Sequence, residues 1–186
     1  MPRNTSTRKL TREEWLARAL EALAQHGEGV LTIDALVRRL GVSRGSFYWH
    51  FSGRTEFLRQ LVEYWFTTYT EAAARELASY EGTPQERLQR LMEHITVGGL
   101  NRYDIPIRAW AARDTVASRI VRKADRFRSD YVQSLFREMG FSGEELEIRT
   151  RAFVVYFSAE LGLFVKTPKS TRVGQLQQLH SFFTRP

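Results

Sequence analysis

The sequence predicts an all-α protein in two parts, an N-terminal three-helix domain with a helix-turn-helix and a larger C-terminal helical domain. Apolar residues recur at helical spacing along most of the chain, and no alternating strand pattern of any length competes with them. Residues 32–51, TIDALVRRLGVSRGSFYWHF, contain two short helical segments separated by Gly41. Glycine suits the left-handed turn between two steeply crossing helices, so this stretch predicts the helix-turn-helix.

The three N-terminal helices are indicated by their caps as well as by apolar spacing. Thr11 and Glu14 form a capping box, in which each side chain satisfies a backbone amide at the helix start. Apolar residues then recur at helical spacing until Gly27, a residue type that often closes helices. The second and third helices each follow a hydroxyl-bearing N-cap. They are expected over residues 33–40 and 44–49, behind Thr32 and Ser43.

A long fourth helix is predicted from residue 54 to about residue 79. It is too long to serve the three-helix unit alone, so we expect it to bridge into the C-terminal part. Thr83 and Pro84 open the next helix, because proline favours the first helical position. Asp104 and Asp114 are each expected to cap a following helix. The last two helices are expected over residues 144–165 and 171–184.

The net charge of +7 favours a polyanionic partner. The first twelve residues contain basic side chains and no acidic one. Such an end is either a solvated tail or an arm that lies along DNA phosphates or enters the minor groove. The basic residues of this end are Arg3, Arg8, Lys9 and Arg12.

The composition disfavours several other classes of protein. The chain lacks cysteine, and none of its four histidines stands four residues from another, so we expect no metal site and no cofactor. No apolar stretch approaches about 18 residues and no signal-peptide run is visible, so we expect a cytoplasmic protein without a membrane partner. The sequence also lacks a glycine-rich phosphate loop and a histidine with a nucleophile close by, so we do not expect an enzyme.

Residues 32–51 resemble the DNA-binding motif of the TetR family of bacterial repressors. The resemblance is carried by the Gly41-Val42-Ser43 turn, the Tyr48-Trp49-His50-Phe51 ending and the basic Arg54 just beyond, and it extends over about residues 11–69. One departure is Gly53, where the family usually has Ser or Asn as the cap of the long helix. Arg54 likewise stands where Lys is common, but it keeps the positive charge beside the helix start.

The resemblance implies that the second helix of the motif lies in the major groove of DNA. Arg44 is the best candidate for base readout, because its guanidinium matches guanine O6 and N7. Gly45 allows the backbone to approach DNA closely, and Ser46 is small enough to reach a base or a phosphate. Trp49 either stacks on a thymine methyl or sugar, or packs against the first helix. The expected DNA contacts are Thr32, Ser43, Arg44, Gly45, Ser46, Tyr48, Trp49, His50 and Arg54.

The resemblance also implies that residues 1–54 bind DNA and that residues 55–186 form a ligand-binding and dimerisation domain. The last two helices are expected to pair with their copies as a four-helix bundle. For any single aromatic of this region, a place in the plain core is the favoured explanation. The expected effector contacts are Trp65, Tyr69, Asp104, Arg108, Trp110, Phe127, Tyr131, Phe153 and Tyr156. The expected dimer contacts are Val155, Leu163, Phe164, Leu176, Leu179 and Phe183.

Together these features predict a homodimeric transcriptional regulator, and specifically a repressor, that binds a near-palindromic operator. Its partners would be double-stranded DNA, a second copy of the chain and an unknown small-molecule effector that releases the DNA. The alternative is a DNA-binding architectural factor without an effector. A large C-terminal region with scattered aromatics favours the first interpretation.

Overall fold

The structure is a computed structural model that describes residues 10–163 and 167–185. Every regular element in these two ranges is helical, which confirms the all-α class. None of the helices in them is both long and apolar enough to cross a bilayer. The α-helices are α1 (Arg12–His26), α2 (Ile33–Leu40), α3 (Arg44–His50), α4 (Arg54–Phe66), α5 (Ala72–Ala78), α6 (Pro84–Thr96), α7 (Asp104–Ala111), α8 (Thr115–Glu138), α9 (Gly143–Leu163), α10 (Lys169–Gly174) and α11 (Leu176–Thr184).

The N-terminal helices begin and end where the sequence predicts. Thr11 and Glu14 form the expected capping box at the start of α1. The hydroxyl oxygens of Thr32 and Ser43 accept the backbone amides of residues 35 and 46, which caps α2 and α3. Gly41 between them is left-handed, with φ 65°, a conformation that glycine adopts without strain. Local chemistry therefore sets the boundaries of the helix-turn-helix.

The long bridging helix is present, but it is not uniform. Between α4 and α5 the helix widens into a π-helical segment over Thr67–Glu71. Such wide turns are rare and occur mostly at functional sites. The periodicity of apolar residues gave no sign of this segment, because the chain remains helical on both sides of it.

The described residues form two apolar cores. The first joins α1–α4 to α7 and the first half of α8, from Leu10 as far as Ala124. The second joins α6, the second half of α8, α9 and α11. The core of the three-helix unit thus continues well past residue 54, where the sequence suggested that one domain ends. The bridging helix and α8 each extend from the region of the first core to that of the second.

Asp104 does not cap α7, and that expectation is wrong. It is the first residue of the helix, but its fully buried carboxylate accepts hydrogen bonds from Arg128 of α8 at 2.5 and 3.2 Å. Arg128 also donates to the hydroxyl of Thr70, in the π-helical segment, at 2.9 and 3.2 Å. This buried cluster ties the bridging helix, α7 and α8 together at one point.

Asp104→Ala should lower the free energy of unfolding by about 3–5 kcal/mol, because it leaves the Arg128 guanidinium buried without its carboxylate. Asp125→Ala is the matched control, since Asp125 pairs with Arg108 at 2.9 and 2.5 Å in a more exposed place. Its effect should stay below about 1 kcal/mol. Urea denaturation measures both, and equal losses would contradict the structural importance of the buried pair.

Candidate DNA-reading helix and internal cavity

Helix α3 is held in place by a cluster of aromatic rings. The ring of Phe47 lies 5.7 Å from Trp15, 5.2 Å from Phe51 and 5.4 Å from Phe57, measured between centroids. The indole N–H of Trp15 also donates to the hydroxyl oxygen of Ser46 at 3.3 Å. A helix of seven residues is not stable by itself in water, so these contacts with α1 and α4 position it.

The outer face of α3 presents large side chains that the protein itself does not cover. Trp49 is 83% exposed and Tyr48 is 55% exposed, so Trp49 does not pack against α1. A Cβ atom added at Gly45 would meet only the Ser43 hydroxyl oxygen, at an ordinary 3.6 Å. Exposed aromatics beside a bare stretch of backbone are typical of a surface that binds a partner.

Three other predicted DNA contacts form hydrogen bonds or ion pairs within the protein. The Nε2–H of His50 donates to the carbonyl of Leu10 at 2.7 Å, and the Nε–H of Arg54 donates to the carbonyl of Leu31 at 2.9 Å. These bonds fix the ends of α3 and α4 relative to the segments before α1 and α2. Arg44 forms an ion pair with Asp34 of α2. The basic residues at positions 3, 8 and 9 lie outside the described residues.

A cavity lies between the bridging helix and the helices α6–α9. It has a volume of about 70 Å³. Its polar lining includes Thr70, Asn101 and the Asp104–Arg128 pair, and most of the other lining side chains are apolar or aromatic. The apolar lining includes Ala73, Ala74, Leu77, Leu91, Ile95, Leu100, Val132, Val154 and Phe157.

Five of the nine side chains expected to contact an effector line this cavity, and four lie elsewhere. Trp65 and Trp110 belong to the first core, Arg108 pairs with Asp125, and the Tyr156 hydroxyl lies 3.4 Å from Glu160. The five in the wall are Tyr69, Asp104, Phe127, Tyr131 and Phe153. Thr70, Asn101 and Arg128 were missed, because nothing in their sequence spacing indicates that they meet.

The residues expected at a dimer interface divide into two groups. Leu176 and Phe183 are buried in the second core, and Leu179 is half-buried and packs against it. Val155 and Leu163 of α9 are exposed. Two further apolar side chains are also exposed, Ile148 of α9 and Phe182 of α11. Phe164 lies outside the described residues.

Titratable side chains can hold a metal ion only where several of them lie close together. Within the described ranges, no three His, Asp or Glu side chains are placed to hold a metal ion. Burial raises the pKa values of several tyrosines, among them Tyr131 in the cavity wall. These phenols therefore remain protonated at neutral pH.

Comparison with known proteins decides the family. Residues 16–61 match the bacterial regulatory proteins of the tetR family. The HTH-type transcriptional regulator TtgW of Pseudomonas putida is 30% identical over 107 residues, which are 57% of this chain and 73% of TtgW. This chain belongs to the TetR family.

Two further relatives match this chain over part of their own length. The HTH-type transcriptional regulator SrpR of Pseudomonas putida is 27% identical over 144 residues, which are 72% of this chain but only 63% of SrpR. The probable acrEF/envCD operon repressor of Escherichia coli is 30% identical over 91 residues, 47% of this chain and 39% of the repressor.

Solved structures share the TetR-family fold over nearly the whole chain. A TetR transcription regulator from Haloarcula marismortui ATCC 43049 superposes with a TM-score of 0.69 at 17% identity, over 93% of this chain and 96% of that one. The transcriptional regulator FadR from Bacillus subtilis, in complex with stearoyl-CoA, superposes with a TM-score of 0.66 at 11% identity, over 91% and 96%. At these identities the likeness concerns the fold alone.

Gly45→Ala should separate folding from DNA binding. Alanine in a helix is favoured over glycine by about 1 kcal/mol, and the added methyl meets no obstacle in the free protein. Thermal denaturation should therefore show equal or higher stability. Affinity for a selected DNA site, measured by fluorescence anisotropy, should fall, because the methyl stands between the α3 backbone and DNA. Unchanged affinity would remove Gly45 from the DNA contacts.

Proposed function

We propose that this protein is a homodimeric transcriptional repressor that binds a near-palindromic operator and is released by a small, largely apolar molecule. The observation that carries the proposal is the outer face of α3, where exposed Tyr48 and Trp49 flank Gly45 on a helix that is rigidly held from behind. The repressor activity is supported by the Escherichia coli relative, whose name describes an operon repressor.

The dimer would bring two copies of α3 to successive major grooves, roughly 34–36 Å apart. The exposed apolar face of α9 and the neighbouring Phe182 support this arrangement. Ile148 and Val155 stand seven residues apart, so they share one face of the helix, and Ile148 and Phe182 line the same surface groove. An apolar face of this kind suits an interface between subunits.

The small volume of the cavity supports a coupling between effector binding and DNA binding. Sites for drug-sized ligands usually measure about 300–1,000 Å³, and this cavity has about 70 Å³. Such a ligand would fit only if the surrounding helices separate. One wall is the π-helical segment and α5, which continue α4, and α4 begins in the DNA-binding part. A ligand that prefers the wider state would therefore shift the position of the reading helices.

A second connection runs from the cavity to α1. Tyr69 of the cavity wall packs against Tyr103, with ring centroids 4.9 Å apart, and accepts a hydrogen bond from Arg102 at 2.7 Å. The Tyr103 hydroxyl donates to Glu21 of α1 at 3.0 Å. Burial, together with this hydrogen bond, raises the pKa of Tyr103, so the phenol remains a donor at neutral pH.

The effector proposed here has an apolar body and one polar group. The apolar side chains of the wall would contact the body, and the polar groups of Thr70, Asn101 and the Asp104–Arg128 pair would orient the polar group. That the fold accommodates a ligand with a long acyl chain is supported by the Bacillus subtilis neighbour, which was solved with stearoyl-CoA.

DNA binding should be dimeric and strongly salt-dependent. If about 6–10 phosphates are neutralised, the logarithm of affinity should fall against the logarithm of salt concentration with a slope of about −5 to −9. Val155→Glu, which places a charge on the exposed face of α9, should give a folded monomer with greatly weakened binding. Sedimentation and anisotropy measure both properties. An intact Val155→Glu dimer, or a salt slope near zero, would contradict the proposal.

Filling the cavity should imitate the effector. Ala73→Leu adds volume inside the cavity and opposes the narrow state, at a cost of about 1–3 kcal/mol in that state. Operator affinity should fall by about 5–150-fold while the dimer persists. Adding Tyr103→Phe should reduce this loss, because the connection to Glu21 is cut.

Arg75→Leu is the matched control, since it places the same side chain on the exposed face of the same helix. It should leave operator affinity unchanged. If Ala73→Leu folds, dimerises and binds the operator as tightly as the unsubstituted protein, then the cavity is not coupled to DNA binding.

A further inference from the structure

The side chain best suited to read a base is already held by a neighbour in the free protein. Arg44 is the first residue of α3, and its Nη2 contacts the Oδ1 atom of Asp34, the second residue of α2. The two side chains are 64% and 56% exposed, so the pair stands on the surface between the starts of both helices. Asp34 was not among the residues that the sequence pattern suggested for DNA contact.

We propose that Asp34 is a positioning residue that sets the base preference of the protein by orienting Arg44. This role rests on the proposed DNA-binding function and adds a residue to it. A guanidinium has five N–H donors, and the contact with Asp34 uses one on Nη2. Two hydrogens on Nη1, one on Nη2 and one on Nε remain free, and one hydrogen from each Nη can match guanine O6 and N7. Asp34 and a guanine can therefore be bound at the same time.

The pairing gives Arg44 an orientation before DNA arrives. An exposed arginine samples many rotamers, and ordering it on binding weakens association. The partner also offsets an unfavourable position, because a cation at the first residue of a helix faces the positive end of the helix dipole. Among the described residues, Arg44 is the one member of the predicted DNA-contact set that forms an ion pair with a carboxylate.

The Asp34 carboxylate also has an unfavourable effect on the affinity for DNA of any sequence. A negative charge beside the phosphates weakens binding to every sequence. Removing Asp34 should therefore have two opposite effects: weaker preference for the operator and stronger binding to unrelated DNA. If Asp34 only repelled phosphates, its removal would produce the second effect without the first. The two roles can therefore be separated by measurement.

The test compares four proteins: the unsubstituted chain, Asp34→Ala, Arg44→Ala and the double variant. Binding sites are selected from random DNA with the unsubstituted protein. Affinities are then measured for the selected site, for sites changed at each base pair and for unrelated DNA. Asp34→Ala should lower the preference at one base pair in each half-site by about 2- to 10-fold and raise affinity for unrelated DNA. In the Arg44→Ala background, Asp34→Ala should change no base preference further.

Two additional variants separate geometry from charge. Asp34→Asn keeps an oxygen that accepts from Arg44 but removes the charge, so it should retain more base preference than Asp34→Ala while raising affinity for unrelated DNA equally. Glu63→Ala is the matched control, because it breaks the exposed pair of Glu63 with Arg59 on α4, with contacts of 2.9 and 3.0 Å. It should change neither property. Circular dichroism checks that all variants are folded.

The outcomes distinguish this role from the function on which it rests. If the unsubstituted protein selects no site, the proposed DNA-binding function fails. If it selects a site and Asp34→Ala keeps every base preference, or shifts preferences equally with and without Arg44, then Asp34 does not act through Arg44 and the inference is overturned.

Discussion

The packing of the aromatic rings of Trp15, Phe47, Phe51 and Phe57 is the interaction on which the functional surface depends. Helix α3 has too few residues to be stable alone, and its outer face makes few contacts with the protein. Edge-to-face contacts between these rings, together with the Trp15–Ser46 hydrogen bond, fix its position from behind. Because the contacts of its inner face hold α3 in place, the polar-tipped side chains of its outer face can remain exposed.

The buried Asp104–Arg128 pair has a comparable role in the C-terminal part. It joins α7 and α8, and Thr70 extends it to the π-helical segment of the bridging helix. A charged pair at the cavity wall is sensitive to the distance between the helices that carry it, since its hydrogen bonds have little tolerance. Cavity, bridging helix and aromatic cluster thus form one continuous framework between the proposed effector site and the proposed DNA surface.

Where sequence reasoning failed, tertiary contacts competed with a local signal. Asp104 has the residue type and position of a helix cap, yet its carboxylate pairs with Arg128, 24 positions away in the chain. The π-helical segment over Thr67–Glu71 was missed because the residues on both sides are ordinary helix formers, so the helical spacing of apolar residues continues across it. Asp34 was overlooked for a similar reason: a single acid at a helix start is explained by the helix dipole alone.

The sequence by itself determined the fold class, the helix-turn-helix and its caps. These depend on interactions within about four residues, so spacing and residue type are sufficient. Tertiary structure decided the rest. Phe182 and Phe183 are adjacent and chemically identical, yet one faces solvent and the other the core, because α11 docks through only one of its faces. The cavity wall likewise draws on five separate helices, whose meeting depends on packing between elements distant in sequence.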